Sequence, residues 1–310
     1  MLTRRGLLAT TVAGAGAYLS GSLGPRGHAD EDPTGLDASH GTPRLAAQVT
    51  SLYRDKSTAD VDRTMAHFAR SPMFYTDATV GWYMPSWDSL RAVFQQYMPS
   101  WPKTARSYPT RVIGDERSAV VVFTDSPELF GHEIRIVAAV DFRDGKVIRQ
   151  VDYWDGRHFG IDATAALRVP PSQYPPTYGE DVVGAQSSPV VRSVAARLVA
   201  GDTADLFAAD AVLEDLALRV EIVGRQAIED YLGRAWASLP YGPGAAIRHT
   251  VGSAQGGGYE WTRRGAAVDH GIVAFELDDQ RRITRLTVTW DGAALSDAAM
   301  ISLLAATLER

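Results

Sequence analysis

The chain has 310 residues, 45% of them hydrophobic and 22% charged, which is the composition of a globular protein of one large or two ordinary domains. A formal net charge of −6 argues against a nucleic-acid partner, which requires a basic face. With no cysteine, disulfides, thiolate nucleophiles and Cys-ligated metals are excluded as well.

The first thirty residues read as an export address. Thr3-Arg4-Arg5-Gly6-Leu7-Leu8 resembles the twin-arginine motif, followed by a weakly apolar stretch to about Leu23, the small-residue site Gly27-His28-Ala29 and the acidic run Asp30-Glu31-Asp32. This expectation assigns 1–29 to a signal peptide and puts the protein outside the cytoplasm, secreted or, if uncleaved, tethered. No later apolar run is long enough to span a membrane.

Beyond the leader, one plan is written twice. Helical patterns at 42–53 and 61–69 are matched by patterns at 189–200 and 203–207. A short strand ending at Asp77, a loop and an amphipathic helix (71–97) are matched by a strand ending at Asp215 and the helix of 209–232. Each copy then closes with alternating, β-branched runs: 118–130, 132–142 and 146–154 in the first, 259–264, 267–277 and 282–290 in the second. Asp144-Gly145 and Asp278-Asp279-Gln280 supply hairpin turns. Both copies end in Trp-Asp-Gly, at Trp154 and Trp290, and the Asp–Asp and Trp–Trp separations between copies are nearly equal. This pattern marks a duplicated α+β domain. The domains are placed at 40–165 and 188–310, joined by a Pro-rich linker at 166–187.

Helices followed by a curved antiparallel sheet resemble the NTF2-like cone fold of the ketosteroid-isomerase and SnoaL-like superfamily. The resemblance covers residues 40–165 and 188–297, and "LFAADAVLED…IVGRQAIEDYL" is the part most similar to the opening of such domains. It implies an apolar pocket between helices and sheet. Strand parity turns Asp152 and Trp154 into the first pocket and Tyr153 away from it. In the second copy Val288 stands where the first has Asp152.

Asp77 and Asp215 fall where ketosteroid isomerases hold their general base, but Val194, Ala138 and Val273 occupy the positions of the oxyanion donors, which argues against steroid isomerisation. The first domain resembles the limonene-epoxide-hydrolase family more closely. On that resemblance Tyr75 and Asp77 position water or substrate, Asp152 is the base, and Glu128 or, with Ser126 standing where the family has arginine, His132 is the acid. Phe74, Trp82, Tyr83, Trp87 and Trp154 are expected to hold an apolar substrate, with Asp215 and Trp290 lining the second pocket. Three readings follow: epoxide opening or hydrolysis without a cofactor, a SnoaL-like cyclase or dehydratase using Asp77 as base, and a non-catalytic carrier of an apolar ligand. The histidines form no ligand cluster, so no metal or other cofactor is expected. The two domains are expected to pair with each other or with a second chain.

Overall fold

The computed structural model describes residues 35–308; the stretch 1–29 read as a signal peptide lies outside them. In the first half, strand β1 (Asp37–Gly41) leads into helices α1 (Pro43–Ser57) and α2 (Val61–Met65). Strands β2 (Phe74–Asp77) and β3 (Trp82–Met84) precede helix α3 (Trp87–Tyr97). Strands β4 (Ser107–Gly114) and β5 (Ser118–Asp125) are followed by the short helix α4 (Pro127–Phe130), then β6 (Ile134–Arg143) and β7 (Lys146–Tyr153). Local chemistry marks the helix starts. The Thr42 hydroxyl accepts from Leu45 N with Pro43 in the first turn, and Ser86 and Ser89 form a reciprocal cap on α3.

The segment read as a linker is folded. The short helices α5 (Gly156–Phe159) and α6 (Ile161–Leu167) lead into it, and within 166–187 it carries helix α7 (Glu180–Val183) and buries Tyr178. The second half has α8 (Pro189–Ala200), β8 (Phe207–Asp215), β9 (Val220–Val223), α9 (Arg225–Ala235), four strands β10 (Ala246–Ser253), β11 (Gly256–Thr262), β12 (His270–Leu277) and β13 (Ile283–Trp290), and a closing α10 (Asp297–Thr307). The helix expected at 203–207 is a turn running directly into β8.

The two sheets share one strand order. The first sheet runs β1-β4-β5-β6-β7-β2-β3 and the second β10-β11-β12-β13-β8-β9, so without β1 the two orders are the same. Neither sheet is wholly antiparallel: β2 lies parallel to β7, β8 parallel to β13, and β1 parallel to β4. Each is a curved α+β layer with helices on one face.

The helix-free faces pack on each other. Val120, Val137, Ala139 and Val151 of the first sheet meet Val251, Ile272 and Ala274 of the second in one buried cluster. Small residues set the spacing: a Cβ on Gly258 would lie 2.9 Å from Val120 Cγ2, and one on Gly256 would lie 2.9 Å from Ile113 Cγ2. The three glycines at 256–258 belong to β11, and Gly256 and Gly258 let the layers approach.

Charge is buried in this interface, and it is paired. The fully buried Arg149 donates to Glu260 at 2.6 Å and to the Tyr178 carbonyl at 3.1 Å, while Tyr153 donates to Glu260 at 2.8 Å. Asp141 meets His249 at 2.8 Å and accepts from Ser118 at 3.1 Å, and Ser118 in turn accepts from Gly252 N. The Arg149 guanidinium holds Glu260 below the usual carboxylate range against the opposing effect of burial.

The repeated Trp-Asp-Gly finds its purpose here. Asp155 accepts from Gly292 N at 3.0 Å and Asp291 accepts from Gly156 N at 3.2 Å, so each copy caps the turn of the other. Glycine is required at both places, because a Cβ would stand 2.5 Å from Asp291 Oδ1 at Gly156 and 2.7 Å from Asp155 Oδ1 at Gly292. Removing one member of the buried pair strands the other charge. Glu260→Leu is expected to lower the unfolding free energy by about 3–5 kcal/mol in urea titration; a change under about 0.5 kcal/mol contradicts this account of the interface.

Candidate active site

Between the first sheet and its helices lies a cavity of about 140 Å³. It is room enough for a cluster of waters or a small organic molecule, since one water needs about 10–15 Å³ on this measure. Its wall is largely apolar, including Met84, Leu90, Phe94, Trp101, Ile136 and Phe159. The polar groups reaching it come from α1, β2, β5 and β7: Lys56, Tyr75 and Asp77, Asp125, Asp152 and Trp154.

Strand pairing builds the acid pair. Parallel β2 and β7 are in register with Asp77 opposite Asp152, so two carboxylates stand side by side on neighbouring strands. The join continues past the strand ends: Ala78 N donates to the Asp152 carbonyl at 2.9 Å, Thr79 Oγ1 to the Trp154 carbonyl at 2.9 Å, and Trp154 N to Thr79 Oγ1 at 3.0 Å. His270 of the second half meets the Ala78 carbonyl at 2.9 Å. The position of Asp77 is therefore fixed from both sides.

The two acids have different partners. Asp152 accepts from Tyr75 Oη through Oδ2 and from Gln150 Nε2 at 2.8 Å through Oδ1. Asp77 accepts from Trp154 Nε1 at 2.9 and 3.0 Å. Burial pushes the Asp77 carboxyl up to about 7, with the neighbouring Asp152 charge acting in the same direction. Burial also raises Asp152, to about 6; the Tyr75 and Gln150 hydrogen bonds and the Lys56 ammonium restrain that rise. Tyr75 is pushed well above its ordinary value by burial and by Asp152, so it stays a donor.

Several expectations are corrected. Glu128 is exposed on α4 and does not line the cavity, because Pro127 has no N–H to extend the ladder and instead opens a helical turn. His132 is also exposed and does not line the cavity, although its ring lies 5.4 Å from that of the wall residue Phe159. The acid that β5 brings inward is its last residue, Asp125. Phe74 faces away from the cavity and covers Gly179, and Tyr83 alternates outward between Trp82 and Met84, which do line it. Trp87 sits over the start of α3, donating to the Met65 carbonyl at 3.2 Å with the Arg70 guanidinium 3.4 Å from its ring centre.

In the second half the register partner of Asp215 is Val288. Asp215 is fully buried and accepts from Ala217 N, Leu218 N, Tyr241 and Trp290, all within 3.0–3.3 Å. Tyr231, Tyr241 and Trp261 are buried around it in the hydrophobic core. Asp215 and Trp290 thus form a satisfied core cluster rather than the lining of a second apolar pocket. Asp215 also borders a cleft of about 300 Å³ between the halves, but that cleft is lined by charges of both signs, among them Glu133, Arg135, Glu214 and Arg219, with Arg135 donating to Glu133 at 2.9 Å.

Lys56, Gln150 and Asp125 are site residues that the motif reading missed. Lys56 carried a signal: it continues the apolar face of α1 formed by Leu45, Val49, Leu52 and Tyr53, where a hydrophobic residue was due. Among the described residues no group of three His, Asp or Glu side chains converges as a metal site, and no helix is long and apolar enough to cross a membrane.

No protein-family model and no curated protein matches the chain. Solved structures similar to it include an NTF2-like protein of unknown function from Burkholderia xenovorans LB400 (16% identity over 36% of this chain and 82% of that one, TM-score 0.31). Others are a candidate ketosteroid isomerase from Kribbella flavida DSM 17836 (18%, 48% and 93%, TM-score 0.31) and a candidate SnoaL-like polyketide cyclase from Shewanella denitrificans OS-217 (14%, 38% and 95%, TM-score 0.33). Identity at this level is a likeness of fold and not of activity. Each half of the described chain is an α+β layer of helices packed on one sheet.

Proposed function

We propose that the first half is a cofactor-independent enzyme that opens an epoxide of an apolar small molecule with water. One observation carries this reading: Asp77 and Asp152 stand in register on adjacent strands at an apolar cavity, with carboxyls raised to about 7 and about 6. Near neutrality such a pair holds one proton between its members, so a base and an acid are present together. Asp152, steadied by Tyr75 and Gln150, takes a proton from water as its oxygen attacks an epoxide carbon. The carbon–oxygen bond breaks, and the departing oxygen takes the proton from Asp77. Transfer of a proton from Asp152 to Asp77 after diol release restores the starting state.

A second reading has one observation in its favour. Asp77 faces the cavity and carries the most strongly raised carboxyl of the pair, which suits it to abstract a carbon-bound proton in a SnoaL-like cyclisation or dehydration. The twin-arginine-type N-terminus is the ground for proposing that either reaction takes place outside the cytoplasm.

Asp152→Asn is expected to lower epoxide turnover by about 10²–10⁴-fold while apolar ligands still bind; full turnover in that variant removes Asp152 from the mechanism. Water labelled with ¹⁸O should place label in the diol, whereas an unlabelled product selects the cyclase reading. Loss of no chemistry in either acid variant, with binding alone altered, selects a carrier. The rate should rise as Asp152 ionises through about 6 and fall as Asp77 loses its proton through about 7, giving a narrow bell. A rate that climbs steadily to pH 9 contradicts an acid role for Asp77.

A further inference from the structure

The acid pair uses only part of the polar equipment of the cavity. Lys56 and Asp125 also line it, both buried, on α1 and on the last position of β5. Lys56 Nζ donates to both oxygens of Asp125, at 3.1 and 3.2 Å. Ser107 Oγ also donates to Asp125, and Ser107 is tied to α1 through Ser57: its N–H donates to Ser57 Oγ and its carbonyl accepts from it, each at 2.8 Å. The ammonium is thus held in a fixed place, beneath the rings of Tyr53 and Phe123 at 5.7 and 5.1 Å.

An ammonium has three N–H donors, and among the described residues only Asp125 accepts from this one. A hydrophobic residue at this place on α1 would avoid the cost of burying two charges. The pair is also set apart from the acids along the sheet. Asp125 pairs with Ile134 of β6, whereas Asp152 pairs with Ala138, and β6 lies between β5 and β7. The two polar stations share the cavity and feel each other, since Lys56 lowers and Asp125 raises the Asp152 carboxyl.

We propose that Lys56, neutralised by Asp125, is a binding station for a neutral oxygen acceptor, so that the ligand of this cavity is an apolar skeleton carrying a carbonyl or similar oxygen away from the reacting centre. This rests on the cavity being the ligand site, and it specifies the substrate class of the reaction proposed above. A carboxylate ligand is disfavoured, because Asp125 already balances the one ammonium that the described residues bring to the cavity, and would repel a second anion. An uncharged acceptor takes the remaining N–H without adding net charge, and the apolar wall encloses the rest of the molecule.

The test uses two ligands of one shape, 2-nonanone and 2-methyl-1-nonene, in which CH2 replaces the carbonyl oxygen. Their affinities are read from the fluorescence of the cavity tryptophans, and the carbonyl stretch of bound ketone from infrared difference spectra. The wild-type protein is expected to prefer the ketone by about tenfold or more, with the stretch shifted to lower wavenumber. Both signatures should persist in Asp152→Asn. In Lys56→Met/Asp125→Leu the preference should fall below twofold and the shift should vanish, with alkene binding kept. Equal wild-type affinities overturn the proposal even if the double variant does not fold, and so does a preference that survives in that variant. Because none of these readouts needs turnover, a positive result beside an inert wild-type enzyme would reject the epoxide reaction and leave the binding station standing.

Discussion

The in-register contact of β2 with β7 is the constraint on which the site depends. Parallel pairing puts Asp77 beside Asp152, and every nearby bond supports that placement: Ala78 to the Asp152 carbonyl, Thr79 to both backbone groups of Trp154, and His270 of the second half to the Ala78 carbonyl. Two ionised carboxylates in an apolar wall are unfavourable, so the cost is met by holding a proton. Both carboxyls lie above their unfolded values. Their contribution to stability is therefore present at low pH and lost as pH rises through about 6 and about 7. The same burial that costs stability by neutral pH is what makes the pair useful for moving protons.

Contacts with the second half help to hold this site in place. The second half repeats the strand order of the first, but Val288 replaces the second acid, and Asp215 spends its acceptors on two backbone N–H groups, Tyr241 and Trp290. Its core is closed around those residues. It presents its helix-free face to the first half, supplies Glu260 to Arg149, and exchanges caps between Asp155 and Asp291. The second half thus packs against the first through paired charges and exchanged caps.

Much of this was legible in the sequence, and the failures have physical causes. The repeat, the strand parity of Asp152, Tyr153 and Trp154, and the loss of an acid at Val288 followed from spacing and the two-residue period of strands. Pairing direction did not, because a parallel β2–β7 contact joins segments far apart in the chain. Glu128 was misplaced because one proline converted an apparent strand into a helical turn, which moved the inward acid to Asp125. Lys56 was overlooked because its partner arrives from a strand that follows it by many residues, although its place on the apolar face of α1 was a visible anomaly. The Pro-rich stretch read as a linker folds because Tyr178 finds Arg149 and the guanidinium of Arg248, 4.0 Å from its ring centre.

The claim beneath the whole account is that Asp77 and Asp152 share one proton near neutral pH. It is measured most directly by ¹³C NMR titration of the aspartate carboxyl carbons, with the two resonances assigned through Asp77→Asn and Asp152→Asn. The account predicts midpoints near 7 and near 6 in the wild type, with Asp77 moving down when Asp152 is neutralised. Two carboxyls titrating independently near the ordinary value of about 3.9 would contradict it.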